Sequence, residues 1–293
     1  MRLSVYRRYL QTLFIDSLAY SRMVIEILRK ETDLRVNEGG VPIKKVFFLV
    51  MARTKKGIDE KISELKHLDV PFIIICGEKS DNPFILYREK NGKFDAINYG
   101  SNYLPENAEF ICINDVDTKI FNFNNALEPF KDPRVALVYC RVKVGDGPQT
   151  HFYPILDGIR SKINVVSSGE LMIIRKSVFE KVLPINPCKA EDTLITFKIL
   201  EMGYKVFFVK DCWVETERTS NLTQEAMYKK RTVTGIYQAL LYSKPPILTR
   251  VFYLLLPFFS PILLVQGRRG FCWIKGIVTG YANYLAGDRR GNF

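Results

Sequence analysis

Two unbroken apolar runs, KKVFFLVMA (44–52) and PFIIIC (71–76), constrain this chain more than any other feature. Between them lies GIDEKISELKHL (57–68), whose apolar residues recur at helical spacing. A strand with one wet face alternates apolar and polar residues, whereas a strand covered on both faces reads as a continuous apolar run. The pattern is therefore strand, crossover helix, strand: the unit of a parallel sheet. A helix around 94–104 followed by FICIN (110–114) repeats it, and RVALVYCRV (134–142), ELMIIRK (170–176) and KVFFVKD (205–211) read as further strands. A helix runs from Glu191 to Gly203, and another covers 221–243. The expected class is α/β.

The ends of the chain differ from this middle. Residues 3–29 place Leu3, Tyr6, Leu10, Leu13, Phe14, Leu18, Ile25 and Leu28 at helical spacing among arginines, an amphipathic helix too polar to span a bilayer. RVNEGGVP (35–42) reads as a linker, and Arg7 and Arg8 precede no apolar signal-peptide core. At the other end, RVFYLLLPFFSPILLV (250–265) is apolar but carries Pro257 and Pro261. Its 15-residue core, Val251 to Val265, falls short of the roughly 20 residues that a simple span needs. After GRRG (267–270) comes a weaker segment, FCWIKGIVTGYANYLAG. If both segments spanned, Arg268 and Arg269 would lie opposite the main domain, against the positive-inside tendency. A partly embedded helical hairpin is expected. Three regions follow: 1–40, an amphipathic helix and linker; 41–220, the α/β domain; and 221–293, an interfacial helix with a short membrane-embedded region.

Charge supports that division. The net charge is +12, and from Lys229 onward ten Lys or Arg stand against one acid, so nine of the twelve net charges sit in the last 65 residues. A basic tail suits nucleic acid or anionic lipid. This tail also holds the apolar run, which favours membrane lipids and no nucleic acid. The six cysteines (76, 112, 140, 188, 212, 272) are scattered with no CxxC pair, which argues against a structural zinc site or a disulfide framework and for buried thiols in a reducing compartment.

Candidate chemistry lies where strands end, because α/β sheets bind ligands at their carboxyl edges. In ICINDVDT (111–118), Asp115 and Asp117 leave a strand together. Two carboxylates one residue apart can bracket Mn²⁺ or Mg²⁺, or simply close the strand as an Asx turn. Glu191 and Asp192 open a helix. The backbone dipole stabilises acids there, and a carboxylate at that place is also fit to act as a general base. Lys93 and Asp95, in REKNGKFDAINYG (88–100), are either solvated or in contact with a nucleotide. No P-loop, dinucleotide or serine-hydrolase signature is present.

Taken in order, GKFDAINYG, CINDVDT, SSGELMIIRKSVFEKV, AEDTLITFKILEMGYKVFFV and YKKRTVTG resemble the family 2 inverting glycosyltransferases, in the cellulose-synthase-like branch. The likeness covers roughly residues 44–242. It implies a GT-A fold (Rossmann-like, with a mostly parallel central sheet) flanked by the N-terminal amphipathic helix and C-terminal membrane-associated helices. It implies that Asp115 and Asp117 hold the metal and that Asp192 is the catalytic base. Arg53, Glu78, Lys93, Asp95, Asp115 and Arg231 would lie on the nucleotide-sugar side. Ser168, Gly169, Glu170, Glu191 and Tyr228 would line the donor and acceptor pocket. The implied donor is a nucleoside-diphosphate sugar, with GDP-mannose preferred by family habit. The implied acceptor is a polyprenyl- or dolichyl-linked saccharide or a glycolipid, at a membrane with the catalytic domain on its cytoplasmic face.

Three departures qualify the resemblance. Cys76 and Gly77 stand where the family has paired aspartates near the nucleobase, leaving Glu78 or Asp81 as substitutes. The polymerising members carry QxxRW on the helix after the ED motif, whereas this chain has Tyr228, Arg231 and Thr232. The apolar tail is also too short for a polymer channel, so a single-sugar transfer is expected. Two alternatives are a polyprenyl-phosphate sugar synthase and a non-catalytic membrane scaffold on a decayed transferase fold.

Overall fold

The computed structural model describes residues 43–145, 147–161, 167–217 and 221–288. The expected N-terminal helix and its linker lie outside the described residues. Eight strands form one sheet: β1 (Val46–Ala52), β2 (Phe72–Cys76), β3 (Ile85–Tyr87), β4 (Phe110–Asp115), β5 (Thr118–Phe121), β6 (Val135–Val144), β7 (Leu171–Arg175) and β8 (Lys205–Thr216). Their spatial order is β3-β2-β1-β4-β7-β6-β8-β5. The first four pair in parallel, β7 runs antiparallel between β4 and β6, β6 and β8 are parallel, and β5 is antiparallel to β8.

The apolar runs are explained by two cores, one on each face. Phe47, Leu49 and Met51 of β1 point into one, and Val46, Phe48, Val50 and Ala52 into the other. The second core is closed by α1 (Ile58–His67), which presents Ile58, Ile62 and Leu65, and by 3-10 turns carrying Phe123 and Phe130. The first is closed by α2 (Lys93–Gly100), α5 (Glu191–Glu201), α6 (Leu222–Tyr242) and α7 (Ile247–Phe259), through Phe94, Ile97, Leu194, Phe197, Ile236 and Tyr253. The short helices α3 (Phe152–Arg160) and α4 (Lys176–Val182) flank β7. Each buried Leu, Ile or Phe contributes roughly 1.5–3 kcal/mol of transfer free energy.

The order of strands requires the sheet to curl. β5 follows β4 after only the two-residue turn Val116–Asp117, yet three strands separate them in the sheet. A flat sheet could not join them with so short a link. The curl is placed by an irregularity on β8: Cys140 pairs with Val209, but the next residue, Arg141, pairs with Trp213. Extra residues on one strand bend it and increase its twist.

Beyond the sheet, α6 packs along α5, and α7 continues through a 3-10 segment (Ser260–Gln266). Gly267 then turns the chain at φ +59°, and α8 (Gly267–Leu285) returns to pack on α6. Ile247–Leu285 is the one segment among the described residues long and apolar enough to cross a membrane by length and composition. It is broken at Gly267 into a hairpin, whose outer side leaves Phe258 (72% exposed), Phe259, Leu264 and Val265 (78%) in solvent. The six cysteines are free and buried.

Candidate active site

The site forms where parallel strands end and the antiparallel β7 begins. Asn114 pairs with Leu171, so the residues just before β7 arrive beside the end of β4. Asn114, fully buried, donates from Nδ2 to the Glu170 carbonyl at 2.6 Å and to Thr118 Oγ1 at 2.9 Å, and the Asp115 N–H reaches the same carbonyl at 3.4 Å. Thr118 Oγ1 donates to the Asp115 carbonyl at 2.8 Å. These bonds fix the turn that carries the two aspartates.

Lys93, the first residue of α2, joins three elements. Its ammonium lies 2.7 Å from Asp115 Oδ1 and 3.5 Å from Glu191 Oε1, and donates to the Gly169 carbonyl at 2.9 Å. On α5, Asp192 Oδ1 accepts from the Thr193 N–H at 2.6 Å, while Thr196 Oγ1 and Ser167 Oγ hold the Asp192 carbonyl at 2.8 and 3.4 Å. Gly169 lies flat against that carboxylate: a Cβ there would sit 3.0 Å from Asp192 Cβ and 3.1 Å from Oδ2. Ser168 Oγ donates to Glu170 Oε2.

Burial dominates the electrostatics. It raises the pKa of Asp115, with Lys93 opposing and the charges of Glu170 and Asp117 adding. It pushes Glu191 up to about 7, again against Lys93 and with Asp192 adding, and it raises Asp192, whose neighbour Glu170 adds to the effect. For Lys93, burial alone would lower the pKa; Asp115 and Glu191 outweigh it and hold the ammonium protonated above the usual lysine range. Asp115, Glu191 and Asp192 thus gather around Lys93, with Glu170 and Asp117 adding their charges beside Asp115, an excess of negative charge.

That excess is what a divalent cation would neutralise. No trio of His, Cys, Asp and Glu among the described residues is arranged to hold an ion alone. Two carboxylates suffice for Mg²⁺ or Mn²⁺ when water and substrate phosphates complete the shell. Asp117, exposed on the turn, and Asp115, whose Oδ1 meets Lys93, have the hard-oxygen chemistry this requires. The residues present fit the metal.

The structure therefore brings together Lys93, Asp115, Asp117, Ser168, Gly169, Glu170, Glu191 and Asp192. Arg53 and Glu78 sit at the ends of β1 and β2: Arg53 is exposed, and Glu78 accepts from the Lys55 N–H at 3.0 Å and from Lys90 at 3.5 Å. The Lys55 N–H chiefly, with the Lys90 charge, lowers the Glu78 pKa. Asp95 is tied to Arg88 by paired bonds of 2.7 and 2.8 Å. Tyr228 is half-buried and Arg231 exposed on α6.

Several residues carry no sequence signal of their role. Gly235 of α6 lies against the residue before Glu191: a Cβ there would come within 2.7 Å of Ala190 Cβ and of the Lys189 carbonyl carbon. Gln238 accepts from the Lys189 N–H at 2.9 Å and donates to the Asp288 carbonyl at 2.9 Å, and Lys189 also pairs with Asp288. The end of α8 is thereby fastened to the loop that leads into α5 and its Glu191 and Asp192. Buried Glu225 makes a second fastening, accepting from Trp273 Nε1 at 2.7 Å and from Gln149.

Compared with known proteins, the chain matches no protein-family model and no curated protein. Solved structures do match. A mannosyltransferase from Pyrobaculum calidifontis, solved with GDP-Man and Mn²⁺, superposes with a TM-score of 0.67 at 15% identity, over 94% of this chain and 97% of its own. GalNAc-T7, solved with UDP, GalNAc and Mn²⁺, superposes with a TM-score of 0.50 at 12% identity, over 88% of this chain and 59% of its own. At such identities the likeness is one of fold, and the fold is GT-A: a curled, mostly parallel sheet between helical layers.

Proposed function

We propose that this chain is a metal-dependent inverting glycosyltransferase that moves a single sugar from a nucleoside-diphosphate sugar to a lipid-linked acceptor at a membrane surface. The observation that carries the proposal is the clustering of Asp115, Glu191 and Asp192 around Lys93 at the carboxyl edge of the sheet, with Asp117 on the adjoining turn. Asp115 and Asp117 would hold Mn²⁺ or Mg²⁺, whose charge stabilises a departing diphosphate. Asp192, its basicity raised by burial, takes the proton of an acceptor hydroxyl. The acceptor oxygen bonds to the anomeric carbon as the bond to the diphosphate breaks on the opposite face, so the centre inverts. Lys93 keeps the carboxylates in place and stays cationic throughout.

Ser168, Gly169, Glu170 and Glu191 would line the donor and acceptor side together with Tyr228. Arg53, Glu78, Asp95 and Arg231 would stand on the nucleotide side, with Asp95 acting through Arg88. GDP-mannose is the favoured donor, supported by the donor bound in the Pyrobaculum structure. The lipid-linked acceptor is supported by the exposed apolar hairpin of α7 and α8 and by exposed Arg250, Arg268, Arg269 and Lys275 on it, a combination suited to an anionic lipid surface. On this proposal residues 41–220 are catalytic and 221–293 are the membrane-facing region, with catalysis on the cytoplasmic side.

The test is transfer or hydrolysis with a panel of GDP- and UDP-sugars, Mn²⁺ and polyprenyl-linked acceptors, comparing the wild type with Asp117→Ala. Activity with one donor that disappears in the variant is expected. No turnover and no metal-dependent nucleotide binding in either protein would favour a scaffold. Asp192→Asn separates two acceptor classes. A loss of about 10²- to 10⁴-fold is expected for hydroxyl attack, and a small loss would favour a phosphate acceptor.

A further inference from the structure

Helix α1 buries a lysine on its apolar face. Lys61 lies one turn from Ile58 and Leu65, is 2% exposed, and its ammonium sits 2.6 Å from Glu64 Oε2. A methionine would fill that position without taking a charge out of water. The pair has a specific target. Lys61 Nζ donates to the Thr118 carbonyl, and Glu64 Oε1 accepts from the Ile120 N–H at 2.6 Å. β5 ends the sheet, with β8 as its strand neighbour. One carbonyl and one N–H of β5 therefore find their partners on α1, so the ion pair takes the place of a neighbouring strand at the point where the chain leaves the aspartate turn.

The contact continues into the site. Thr118 Oγ1 donates to the Asp115 carbonyl at 2.8 Å and accepts from Asn114 Nδ2 at 2.9 Å. An unbroken path of hydrogen bonds thus runs from Lys61 and Glu64, through Thr118, to the backbone of Asp115. The turn holds only two residues between strands that belong to distant parts of the sheet. The spacing of its carboxylates is therefore set by where β5 starts.

We propose that Lys61, with Glu64, is a positioning residue for the cation site: it anchors Thr118 from behind and so fixes Asp115 and Asp117 at the separation that a divalent ion requires. This rests on the proposed metal-dependent transfer. Groups behind the ligands of a metal commonly alter affinity by about ten- to a hundredfold when removed.

The test is titration of Mn²⁺, followed by the electron paramagnetic resonance of the free ion, in the presence of GDP and separately of UDP. Wild type, Lys61→Met, Thr118→Val and Asp117→Ala are compared, with the melting temperature of each recorded without metal. Wild type is expected to bind Mn²⁺ with a nucleoside diphosphate and Asp117→Ala to lose that binding. Lys61→Met and Thr118→Val are expected to raise the Mn²⁺ dissociation constant about tenfold or more while still melting cooperatively, with turnover recovering at high Mn²⁺. If wild type binds Mn²⁺ and both folded variants bind it equally well, the positioning role is overturned and the transferase proposal stands. If wild type itself binds no Mn²⁺ with either nucleotide, both fall. Should Lys61→Met fail to fold, Thr118→Val, which keeps the Lys61–Glu64 pair, decides alone.

Discussion

Gly77 shows how a single residue can mislead and inform at once. Read as a sequence, it stands where the family that the chain resembles carries an aspartate. In the fold it is a packing requirement: a Cβ at Gly77 would meet the Arg53 carbonyl oxygen at 2.7 Å and the Lys90 side chain at 2.6 Å, while its N–H bonds the Ala52 carbonyl at 3.0 Å. Restoring the carboxylate by Gly77→Asp is therefore expected to lower stability by about 1–3 kcal/mol, the usual cost of overpacking, and to leave nucleotide affinity no better. Urea denaturation and nucleotide titration of the variant check both halves; tighter binding at unchanged stability would refute the packing argument. The acids read differently. Asp115, Asp117, Glu191 and Asp192 were legible from their places after a strand and at a helix start, because both are points where backbone geometry gathers side chains. The lysine that joins Asp115 to Glu191 was less legible. A lysine at a helix start has no sequence mark distinguishing a solvated ammonium from one shared by three elements.

Among elements, the parallel half of the sheet was readable from β1, β2 and β4, whose apolar runs follow from burial on both faces. β3 and β5 were not. Each is short, and β5 carries Thr118 and Lys119 in an alternation too brief to register. β8 runs to Thr216, beyond the expected 205–211, and past its irregularity its second half, Trp213–Thr216, pairs with β5. The entry to β6 provides a pH prediction. The Arg134 side chain, bonded to Asp132 at 2.8 Å, holds the Asp132 pKa at about 2 against an ordinary 3.8, with the Arg134 N–H and Lys205 assisting. A carboxylate depressed in the folded state stabilises it above the unfolded pKa and loses that contribution as pH falls through the folded value. The stability difference between wild type and Asp132→Asn is expected to be constant above about pH 4 and to vanish towards pH 2. Chemical denaturation across that range measures it, and a difference that persists at the acid end would contradict the assignment.

The whole molecule couples its apolar hairpin to the loop that leads into Glu191 and Asp192. Gly235 touches Ala190, Gln238 and Asp288 hold Lys189, and Glu225 joins α6 to Trp273 of α8. Gly235→Val is accordingly expected to push α5 and its Glu191–Asp192 start away from Lys93, cutting turnover by about tenfold or more while the protein stays folded. Wild-type turnover in that variant would show that the close approach is incidental. Replacing Phe258 and Val265 together by serine, at positions outside every contact to the site, is expected to weaken binding to anionic liposomes and leave donor hydrolysis in solution unchanged. Equal sedimentation of variant and wild type with liposomes would overturn the membrane-binding role given to the hairpin.

The sequence by itself determined the α/β class, the buried parallel strands, the basic and apolar C-terminal region, and the acids that stand at strand and helix ends. Those features are local: apolar periodicity, chain breakers and charge are written within a few residues of where they act. Only the tertiary structure decided that one lysine joins Asp115 to Glu191, that a Cβ at 77 or 235 would press on neighbouring backbone, that Asp95 belongs to Arg88, and that buried Lys61, paired with Glu64, stands behind the aspartate turn. These depend on contacts between residues from 7 to 98 positions apart. The curl of the sheet brings them together, and no pattern along a single segment records which side chains such a curl makes neighbours.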